Sequence, residues 1–527
     1  MNFDLPHGAT REPVIGRNVV ATSQPLAAQA GLQMLTAGGT AADAAVATAA
    51  ALTVVEPTAN GLGSDAFAMW WDSASQQLHG LNASGRSPAA LNVDRIRAAG
   101  TMPRRGWGAV TVPGAVSGWI DLWRAAGRLP LHDVLAPAIA YARDGYPVSP
   151  QTARGWARSV DRYRNFEHWM STFAPEGTAP AIGDIVRLED HARTLEAIAD
   201  TEGEALYRGA LAQQIAAAAK ADGGAMSLDD LAEHAPLRVT PLSVSFGDLD
   251  LHELPPNGQG LAVLIAAGVL ERLGGATLNS DDPATMHLQI EAMKLGFADA
   301  GDHVADPDLL TCDPATLIAS DRLDAKTALV NATCAQPLCE AVPQWSSTVY
   351  LACADAAGNA VSFIQSNYEG FGSGVVVPNT GIAMQNRGAG FVLEEGHPNT
   401  LRAGVRPYHT IIPGFTTRQE APHMAFGVMG GPMQPQGHLQ VLARVAFGWN
   451  PQAALDAPRW RVEGGMRVAV EPQMPQSTID ALRAMGHNVH VAPARDVSFG
   501  GGQITLRHGD AWVGASDCRR DGEAVAF

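Results

Sequence analysis

TVYLACADAAGNAVSFIQS, residues 348–366, is the most informative stretch of this 527-residue sequence. Two short runs rich in apolar, strand-forming residues flank the connection AAGN, which contains Gly358 and Asn359. A short connection of this composition between two such runs predicts a β-hairpin. Thr348 then lies at the start of the first strand of the hairpin.

The sequence before the hairpin carries several helix signals. Pro25–Ala37 has helical spacing and stops at the pair Gly38-Gly39, which is typical of a helix C-terminus. Thr40 can cap a second helix that runs through the alanines to about Val55. Further predicted elements are a strand at 66–72, mostly helical sequence from about 117 to 231, a strand, glycine turn and helix at 249–274, and a helix at 286–304.

The sequence after the hairpin predicts mainly strands. Apolar runs alternate there with turns rich in glycine and proline as far as Phe527. Only one helix is clear in this part, near Gln476–Met485. The chain contains no internal repeat and no low-complexity tail.

The composition excludes several classes of partner. Acidic residues outnumber basic ones 53 to 36, which gives a net charge of −17 and argues against nucleic acid and anionic membranes. The apolar stretch 41–55 is too short to span a bilayer and is interrupted by Asp43. No secretory signal opens the sequence, and five cysteines form no CxxC pair. We therefore expect a soluble, cytoplasmic protein.

The sequence carries no signature of a metal or organic cofactor. The scattered histidines have no ligand spacing, and we interpret them as structural; they include His287, His303, His423 and His438. The serine-hydrolase pattern GxSxG and the metalloprotease pattern HExxH are both missing from the sequence. The sequence therefore gives no sign of a serine-hydrolase or metalloprotease mechanism. We also expect no cofactor.

Thr348 is a candidate for self-cleavage and catalysis, although threonine at the start of a strand is common. Ser347 and a polar segment precede it. The threonine hydroxyl can attack the carbonyl before it, and water then cleaves the resulting ester. The product is an N-terminal threonine, whose hydroxyl is a nucleophile and whose α-amine, with an ordinary pKa of about 7.7–8.0, is a base.

Acyl transfer also needs donors for the oxyanion, and FGVMGGPMQPQG, residues 426–437, offers the pair Gly430-Gly431. Two backbone N–H groups without side chains can face a tetrahedral oxyanion. An isolated glycine pair is more often a tight turn between strands, so this motif alone leaves both interpretations open.

The sequence resembles the γ-glutamyltransferase family of N-terminal-nucleophile hydrolases over nearly its whole length. The resemblance is carried by long motifs in the family's order, among them GGTAADAAVATAAALTVVEPTANGLGSDAF (38–67), NASGRSP (82–88), ELPPNGQG (253–260), the hairpin and GIAMQNRGAGF (381–391). The resemblance implies an α+β fold, the four-layer αββα sandwich. It also implies self-cleavage between Ser347 and Thr348 into a large subunit, 1–347, and a small subunit, 348–527. The two fragments are expected to remain associated as one structural domain, and two such heterodimers can form a dimer.

Residue by residue, the resemblance assigns roles to five positions. Thr348 matches the family's nucleophile, and Ser366 matches a second hydroxyl residue that binds the amine of that threonine. Gly430 and Gly431 match the oxyanion pair. Arg86 matches the arginine that grips the substrate's α-carboxylate, a task that suits a planar, bidentate fork.

The sequence departs from the family pattern where the substrate would bind. Gly390 replaces an acidic residue that holds the substrate's ammonium, and Arg387 replaces a nearby glutamine. His409 and Thr410 replace a pair of serines, and Tyr368 replaces an asparagine. Because a cation is gained and an anion is lost at these positions, the binding of a substrate ammonium is electrostatically unfavourable.

These departures resemble a subgroup of the family that includes oxamate amidohydrolases. The expected substrate is therefore a small amide that bears a carboxylate, held by Arg86, Arg387 and His409, with oxamate as the best candidate. Two enzymatic alternatives remain open, a γ-glutamyl hydrolase or transpeptidase acting on glutathione-like donors and an amidase similar to cephalosporin acylases. A non-catalytic relative is a further alternative, and failure to self-cleave would support it.

Overall fold

Two seven-stranded antiparallel sheets form the centre of the computed structural model, which describes residues 11–340, 342 and 347–527. Strands and helices are numbered along the chain. The first sheet, called here the hairpin sheet, contains in spatial order β19 (Glu523–Ala526), β2 (Val19–Thr22), β10 (Ser347–Ala354), β11 (Ala360–Tyr368), β3 (Asp65–Asp72), β4 (Gln77–Ala83) and β7 (Leu237–Val239).

The second sheet is called here the glycine sheet, because one of its strands leads to the Gly430-Gly431 pair. It contains in spatial order β1 (Val14–Gly16), β18 (Ala511–Ser516), β17 (Gly501–His508), β13 (Ala421–Met429), β12 (Gly414–Arg418), β9 (Leu249–Glu253) and β8 (Leu242–Phe246). Smaller sheets are formed by β5 (Tyr146–Pro147) with β6 (Ile185–Val186), and by β14 (Trp460–Gly464), β15 (Arg467–Val470) and β16 (Asn488–Val491).

Helices lie on the outer faces of both large sheets. Those before β7 are α1 (Pro25–Thr36), α2 (Ala41–Val55), α3 (Val93–Ala98), α4 (Ala115–Ala126), α5 (Leu131–Asp144), α6 (Pro150–Tyr163), α7 (Glu167–Phe173), α8 (Glu189–Thr201), α9 (Glu204–Tyr207), α10 (Ala210–Ala221) and α11 (Leu228–Ala232). Those after β9 are α12 (Gly260–Arg272), α13 (Pro283–His303), α14 (Pro314–Leu317), α15 (Ser320–Thr327), α16 (Met433–Ala446), α17 (Pro451–Asp456) and α18 (Gln476–Ala484). In the described ranges, none of these helices has the length and apolar character needed to cross a bilayer.

The side chains of β10 show how the layers are held together. Val349 and Leu351 point into the core beneath the first group of helices. Tyr350 and Ala352 point the other way, into the core between the two sheets. Because successive strand residues face opposite sides, a strand buried on both faces is apolar throughout. This arrangement confirms the four-layer αββα sandwich.

The structure confirms the main elements predicted from the sequence. The hairpin of β10 and β11 turns through residues 355–359, where Gly358 adopts a φ of +93°. Thr40 caps α2, and its hydroxyl accepts a hydrogen bond from the Asp43 N–H while the Asp43 carboxylate accepts one from the Thr40 N–H. This reciprocal pair is a capping box, which fixes the start of the helix.

One prediction about the C-terminal part was wrong, because α16 and α17 were missed there beside the expected α18. The first turn of α16 contains Pro435 and is followed by Gly437, which both resemble turn signals in the sequence. Proline is tolerated in the first turn of a helix because the N–H groups there have no partner within the helix. Burial of this helix on nearly every side then outweighs its poor helix propensity.

Strands from before and after Thr348 alternate within the sheets. The pair β10 and β11 lies between β2 and β3, and β19 pairs with the other edge of β2. Removing the segment that begins at Thr348 would therefore open both large sheets. This interleaving supports the prediction that the two fragments stay associated after cleavage.

Candidate active site

Thr348 lies at an irregularity in the first strand of the hairpin. Ser347 pairs with Tyr368 and Val349 pairs with Gln365, so the register shifts at the residue between them. The side chain of Thr348 is fully buried, whereas Ser347 is partly exposed. The extra residue lies on β11, where Ser366 and Asn367 stand opposite Thr348 alone, and bulges of this kind are common beside active sites.

Ser366 connects the hydroxyl of Thr348 to the carbonyl that precedes it. The Thr348 hydroxyl donates to Ser366 Oγ over 3.1 Å, and Ser366 in turn donates to the carbonyl oxygen of Ser347 over 2.6 Å. The attacking group and the carbonyl it would attack are thus held by one serine. Its hydrogen bond also polarises the Ser347 carbonyl, where negative charge develops during an N-to-O acyl shift.

Tyr368 is held in a strained backbone conformation beside this serine. Its φ is +75°, in the left-handed region that a bulky residue rarely adopts. In this conformation the Tyr368 N–H donates to Ser366 Oγ over 2.8 Å. Strain of this kind costs about 1–3 kcal/mol and is concentrated at functional sites. Ser366 therefore receives two hydrogen bonds and donates one, which leaves its orientation fixed.

The Gly430-Gly431 pair lies at the junction of β13 and α16. Gly430 has a φ of +133° and Gly431 a φ of +61°, which glycine adopts without a steric penalty. Their carbonyls accept hydrogen bonds from Met433 and Gln434, which start the helix. Gly430 lines the same cleft as Ser347. Among residues that the structure describes, no acceptor is bound to the N–H of either glycine, so both remain available to an oxyanion.

Arg387 is a fully buried cation at the other end of the site. Its Nη1 donates to the hydroxyl of Thr410 over 2.9 Å, and its guanidinium lies 4.4 Å from the centre of the Tyr368 ring. Within the described part of the chain, its Nε and Nη2 have no hydrogen-bond partner. These two groups form one edge of the guanidinium, the edge that binds a carboxylate with two parallel hydrogen bonds. Burial lowers the pKa of Arg387 to about 10, which still leaves it charged at neutral pH.

His409 and Asp65 form a buried pair next to Arg387. His409 Nε2 lies 3.0 Å from the Asp65 carboxylate. Burial, with a smaller effect of the Arg387 charge, lowers the pKa of His409 well below its ordinary value, so the imidazole is neutral. Burial raises the pKa of Asp65 to about 7, and Arg387 opposes this rise. The carboxylate of Asp65 is thus already engaged by a neighbouring donor and a neighbouring cation.

Gln259 links the two ends of the site and was not predicted from the sequence. Its side-chain amide donates to the carbonyls of Thr410 and Gly431, over 2.6 Å and 2.9 Å. Its oxygen accepts from the hydroxyl of Tyr408 over 3.0 Å. The motif ELPPNGQG contained this residue, but a glutamine in a glycine turn gives no signal of which carbonyls it will bridge.

Arg86 lies outside this network of contacts. Its guanidinium binds Asp306 over 3.1 Å and Asp308 over 2.9 Å, and it also donates to the carbonyl of Gly404 over 3.0 Å. Asp306 also accepts a hydrogen bond from the backbone N–H of Arg406. Direct contacts, or links through Gln259 and the shared cleft, bring together the other candidate residues: Thr348, Ser366, Tyr368, Arg387, His409, Thr410, Gly430 and Gly431. Among the described residues, no hydrogen bond or ion pair links Arg86 to them.

The acidic side chains around the site already have basic partners. Glu369 accepts hydrogen bonds from both Arg104 and Arg105, the latter over 2.8 Å. Burial by itself would raise the pKa of Glu369, but these two arginines lower it below its ordinary value. An ammonium ion on a substrate would have to compete with two guanidinium groups for this carboxylate.

Gly390 occupies a position that is closed to a side chain. A Cβ atom there would lie 2.7 Å from the carbonyl oxygen of Tyr408, which is closer than such contacts allow. The carbonyl of Gly390 also accepts a hydrogen bond from Asn399 over 2.8 Å. The loss of an acidic residue at 390 is therefore accommodated by the local backbone.

His287 and His487 form a buried cluster with Glu291. His287 Nδ1 and His487 Nε2 lie 2.8 Å apart, and Glu291 is close to both. The ammonium of Lys294 lies 2.7 Å from Glu291 and is itself buried, so a cation already neutralises this carboxylate. We interpret the cluster as a closed polar network.

Ser366→Ala is expected to slow self-cleavage about ten- to a hundredfold, because a hydrogen bond to a developing charge contributes about 1.5–3 kcal/mol. The measurement is the half-time with which full-length protein converts to two fragments on a denaturing gel. Ser366→Thr keeps the hydroxyl and serves as the matched control. Normal maturation of Ser366→Ala would show that this serine acts only in the mature enzyme.

Comparison with known proteins gives the family and a set of relatives. The sequence model of the family described as Gamma-glutamyltranspeptidase matches residues 27–527. The chain is 35% identical over 525 residues to the Glutathione hydrolase-like YwrD proenzyme of Bacillus subtilis, covering 98% of this chain and 99% of that protein. It is 34% identical over 521 residues to the Oxamate amidohydrolase proenzyme of Klebsiella pneumoniae, covering 95% and 97% respectively. A crystal structure of cephalosporin acylase from Bacillus halodurans matches with a TM-score of 0.95 and 46% identity, covering 100% of this chain and 99% of that chain.

Proposed function

Because the chain belongs to the gamma-glutamyltranspeptidase family and is a hydrolase that acts on amide bonds, we propose that it is a self-processing N-terminal-threonine amidohydrolase. Its substrate is a small amide that bears a carboxylate, and oxamate is the leading candidate. The observation that carries the substrate class is the unpaired, buried edge of Arg387.

Maturation begins with the hydroxyl of Thr348. This oxygen attacks the carbonyl carbon of Ser347 while Ser366 holds the carbonyl oxygen. The C–N bond breaks as a C–O bond forms, so the amide becomes an ester and the amine of Thr348 is freed. Water then hydrolyses the ester, which leaves a carboxylate on Ser347 and restores the hydroxyl of Thr348.

Catalysis reuses the same hydroxyl with the new α-amine as its base. The amine accepts the hydroxyl proton as Thr348 Oγ1 attacks the amide carbon of the substrate. The N–H groups of Gly430 and Gly431 bind the oxyanion, and the leaving nitrogen takes the proton and departs as ammonia or an amine. Water hydrolyses the acyl-enzyme, which for an oxalyl group releases oxalate.

The substrate's carboxylate is assigned to Arg387. A buried guanidinium with two free N–H groups on one edge is costly unless a ligand pairs with it. A carboxylate satisfies both groups at once and neutralises the charge. In oxamate the carboxylate is bonded directly to the amide carbon, so the proposal requires the free edge of Arg387 and the hydroxyl of Thr348 to meet one small molecule.

A γ-glutamyl substrate is less well matched to these surroundings. It carries an α-ammonium, for which Gly390 provides no carboxylate. Asp65 is engaged by His409, and Glu369 is engaged by two arginines. These pairings favour an acyl group without an ammonium over a glutathione-like donor.

An amidase similar to cephalosporin acylases is a second candidate, favoured by the size of the cleft next to Ser347. The cleft has a volume of about 770 Å³, far more than oxamate fills, and the cephalosporin acylase of Bacillus halodurans is a relative at 46% identity. This candidate shares the threonine nucleophile and the oxyanion pair, and it differs only in the substrate.

Arg387→Ala is expected to lower kcat/KM for oxamate about ten- to a hundredfold, because a charge-assisted pair with a carboxylate contributes about 1.5–3 kcal/mol. Arg387→Lys is expected to recover only part of this loss, since a point charge cannot reproduce a bidentate edge. The measurement is ammonia release from oxamate by protein that a gel shows to be fully cleaved.

Arg86→Ala is the comparison that separates the two arginines. Arg86 binds Asp306 and Asp308, so its loss is expected to lower kcat/KM less than the loss of Arg387. If Arg86→Ala lowers kcat/KM more than Arg387→Ala does in fully cleaved protein, then Arg86 is the arginine that binds the substrate's carboxylate. A block in self-cleavage would instead make Arg86 a structural residue.

A further inference from the structure

The glycine pair assigned to the oxyanion needs support from elsewhere in the chain. Gly430 and Gly431 have no side chain to restrict rotation about their backbone bonds, and their φ values of +133° and +61° lie where glycine is favoured. An oxyanion site stabilises a transition state well only when its donors are already held in place. A contact that fixes the peptide planes of this pair is therefore a candidate positioning contact.

The side chain of Gln259 provides such a contact. It is fully buried, and its amide nitrogen donates to the carbonyl of Gly431 over 2.9 Å. The N–H of Gln434 donates to the same carbonyl over 3.0 Å, and the N–H of Met433 donates to the carbonyl of Gly430 over 3.1 Å. The peptide planes on both sides of the Gly431 Cα atom are thus held by hydrogen bonds, and Gln259 supplies the one that comes from outside this segment.

The same amide nitrogen reaches a second carbonyl, that of Thr410, over 2.6 Å. The hydroxyl of Thr410 accepts a hydrogen bond from Arg387, the proposed ligand of the substrate's carboxylate. Because both N–H groups of Gln259 belong to one planar amide, its covalent geometry sets where the two carbonyls lie relative to each other. Gln259 therefore ties the oxyanion pair to the segment that carries the partner of Arg387.

The orientation of the Gln259 amide is determined by its neighbours. The hydroxyl of Tyr408 donates to Gln259 Oε1 over 3.0 Å. Burial raises the pKa of Tyr408 above its ordinary value, so this hydroxyl keeps its proton. The reverse orientation would place Oε1 against the carbonyl oxygens of Thr410 and Gly431, which have no proton to donate. The contacts select the orientation in which the amide uses both donors and its acceptor.

The turn that carries Gln259 is a firm base for this side chain. The N–H of Gln259 donates to the carbonyl of His409 over 3.0 Å, and the N–H of His409 donates to the carbonyl of Asn257 over 2.8 Å. Helix α12 begins directly after Gln259 and is buried from Gly260 to Leu270. Its backbone and its side chain thus grip the same neighbouring segment.

From these contacts, and resting on the proposed acylation of Thr348, we propose that Gln259 is a positioning residue for the oxyanion pair. It acts through the carbonyls of Gly431 and Thr410, and it holds the N–H groups of the pair at a fixed place relative to the acyl end of the site. The role belongs to turnover and not to self-cleavage, because Ser366 holds the carbonyl of Ser347.

Gln259→Met tests this role, because methionine keeps the length of the side chain and removes both donors. We expect kcat to fall about ten- to a hundredfold, since losing an oxyanion donor costs about 10²–10³ in kcat and a misplaced donor keeps part of that effect. KM is expected to change less than about threefold, because the ligands of the substrate remain. The measurements use oxamate and a γ-glutamyl anilide with fully cleaved protein, and the half-time of self-cleavage should equal that of the wild type.

Gln440→Met is the matched control on α16. Gln440 is also buried, and its amide nitrogen donates to the carbonyls of Gln436 and Trp460 over 3.0 Å and 3.1 Å. The two variants lose equivalent hydrogen bonds and should lose similar thermal stability, but Gln440→Met should keep the wild-type kcat.

Two milder variants keep the test open if Gln259→Met does not fold. Gln259→Asn keeps an amide that is one methylene too short to bridge both carbonyls, and we expect it to lower kcat about three- to tenfold. Tyr408→Phe leaves both donors of Gln259 in place, so its kcat should stay within about threefold of the wild type.

The outcomes separate this proposal from the proposed function. Equal losses of kcat in Gln259→Met and Gln440→Met, a rise in KM at unchanged kcat, or a loss in Tyr408→Phe as large as in Gln259→Asn would overturn the role of Gln259. A loss of kcat with the anilide, when oxamate is not hydrolysed even by the wild type, would overturn oxamate as substrate and keep the role of Gln259. Turnover of neither substrate by cleaved wild type would overturn both.

Discussion

Thr348→Ala is expected to remain a single uncleaved chain and to hydrolyse no amide. The substitution removes the hydroxyl that attacks the Ser347 carbonyl, and without cleavage the α-amine is never released. The later nucleophile and its base are therefore lost together. The measurement is a denaturing gel of purified protein, combined with assays of ammonia and amine release.

Wild-type protein is the first control for this variant. It should give two fragments, and N-terminal sequencing of the smaller one should read Thr-Val-Tyr-Leu. Thr348→Ser keeps a hydroxyl and should still cleave and retain activity. An active wild-type enzyme that remains one chain would contradict the mechanism, and so would cleavage of Thr348→Ala at the same bond.

The hairpin was predictable because both of its determinants are local in sequence. Its strands are apolar on both faces, and the turn at Gly358 needs a positive φ that glycine supplies. The bulge in β11 opposite Thr348 was not predictable in the same way. It depends on the pairing of Ser347 with Tyr368, and that pairing is set by a strained backbone angle twenty residues away.

The roles of the two arginines show a similar limit. The resemblance to the family predicts Arg86 as a carboxylate ligand, and this stays a prediction. Sequence could not show that Asp306 and Asp308 bind the same guanidinium. Arg387 was noticed as a change of charge. In the part of the chain that the structure describes, its Nε and Nη2 groups have no partner because Thr410 binds only Nη1. This arrangement is set by tertiary packing, which the sequence does not show.

The basic cleft was invisible in the sequence for a different reason. The protein is acidic overall, and the lining arginines come from segments as distant as Arg104, Arg158 and Arg520. No run of basic residues marks them. Only the folding of α6 against the hairpin of β10 and β11 brings their charges close to Ser347, so the net charge of the chain was a poor guide to the local potential.

Oxamate is expected to be hydrolysed with a kcat/KM at least about a hundredfold higher than that of a γ-glutamyl anilide, since each 1.4 kcal/mol is a factor of ten. The reason is electrostatic. A γ-glutamyl group would bring an ammonium close to the charged Arg387, and Gly390 offers no carboxylate to balance it. Leaving such a charge unpaired in a partly dry site costs several kcal/mol.

The comparison of the two substrates has an internal control in Arg387. Arg387→Gln removes the repelling charge and the carboxylate ligand together, so it should lower kcat/KM for oxamate and raise the relative rate with the anilide. Asp65 and Glu369 are the acids that could otherwise receive the ammonium, but both are engaged by other partners. Efficient aniline release by the wild type, without ammonia from oxamate, would show that one of these pairs opens on binding. The protein would then act on γ-glutamyl donors, because an available carboxylate would remove the electrostatic reason for rejecting them.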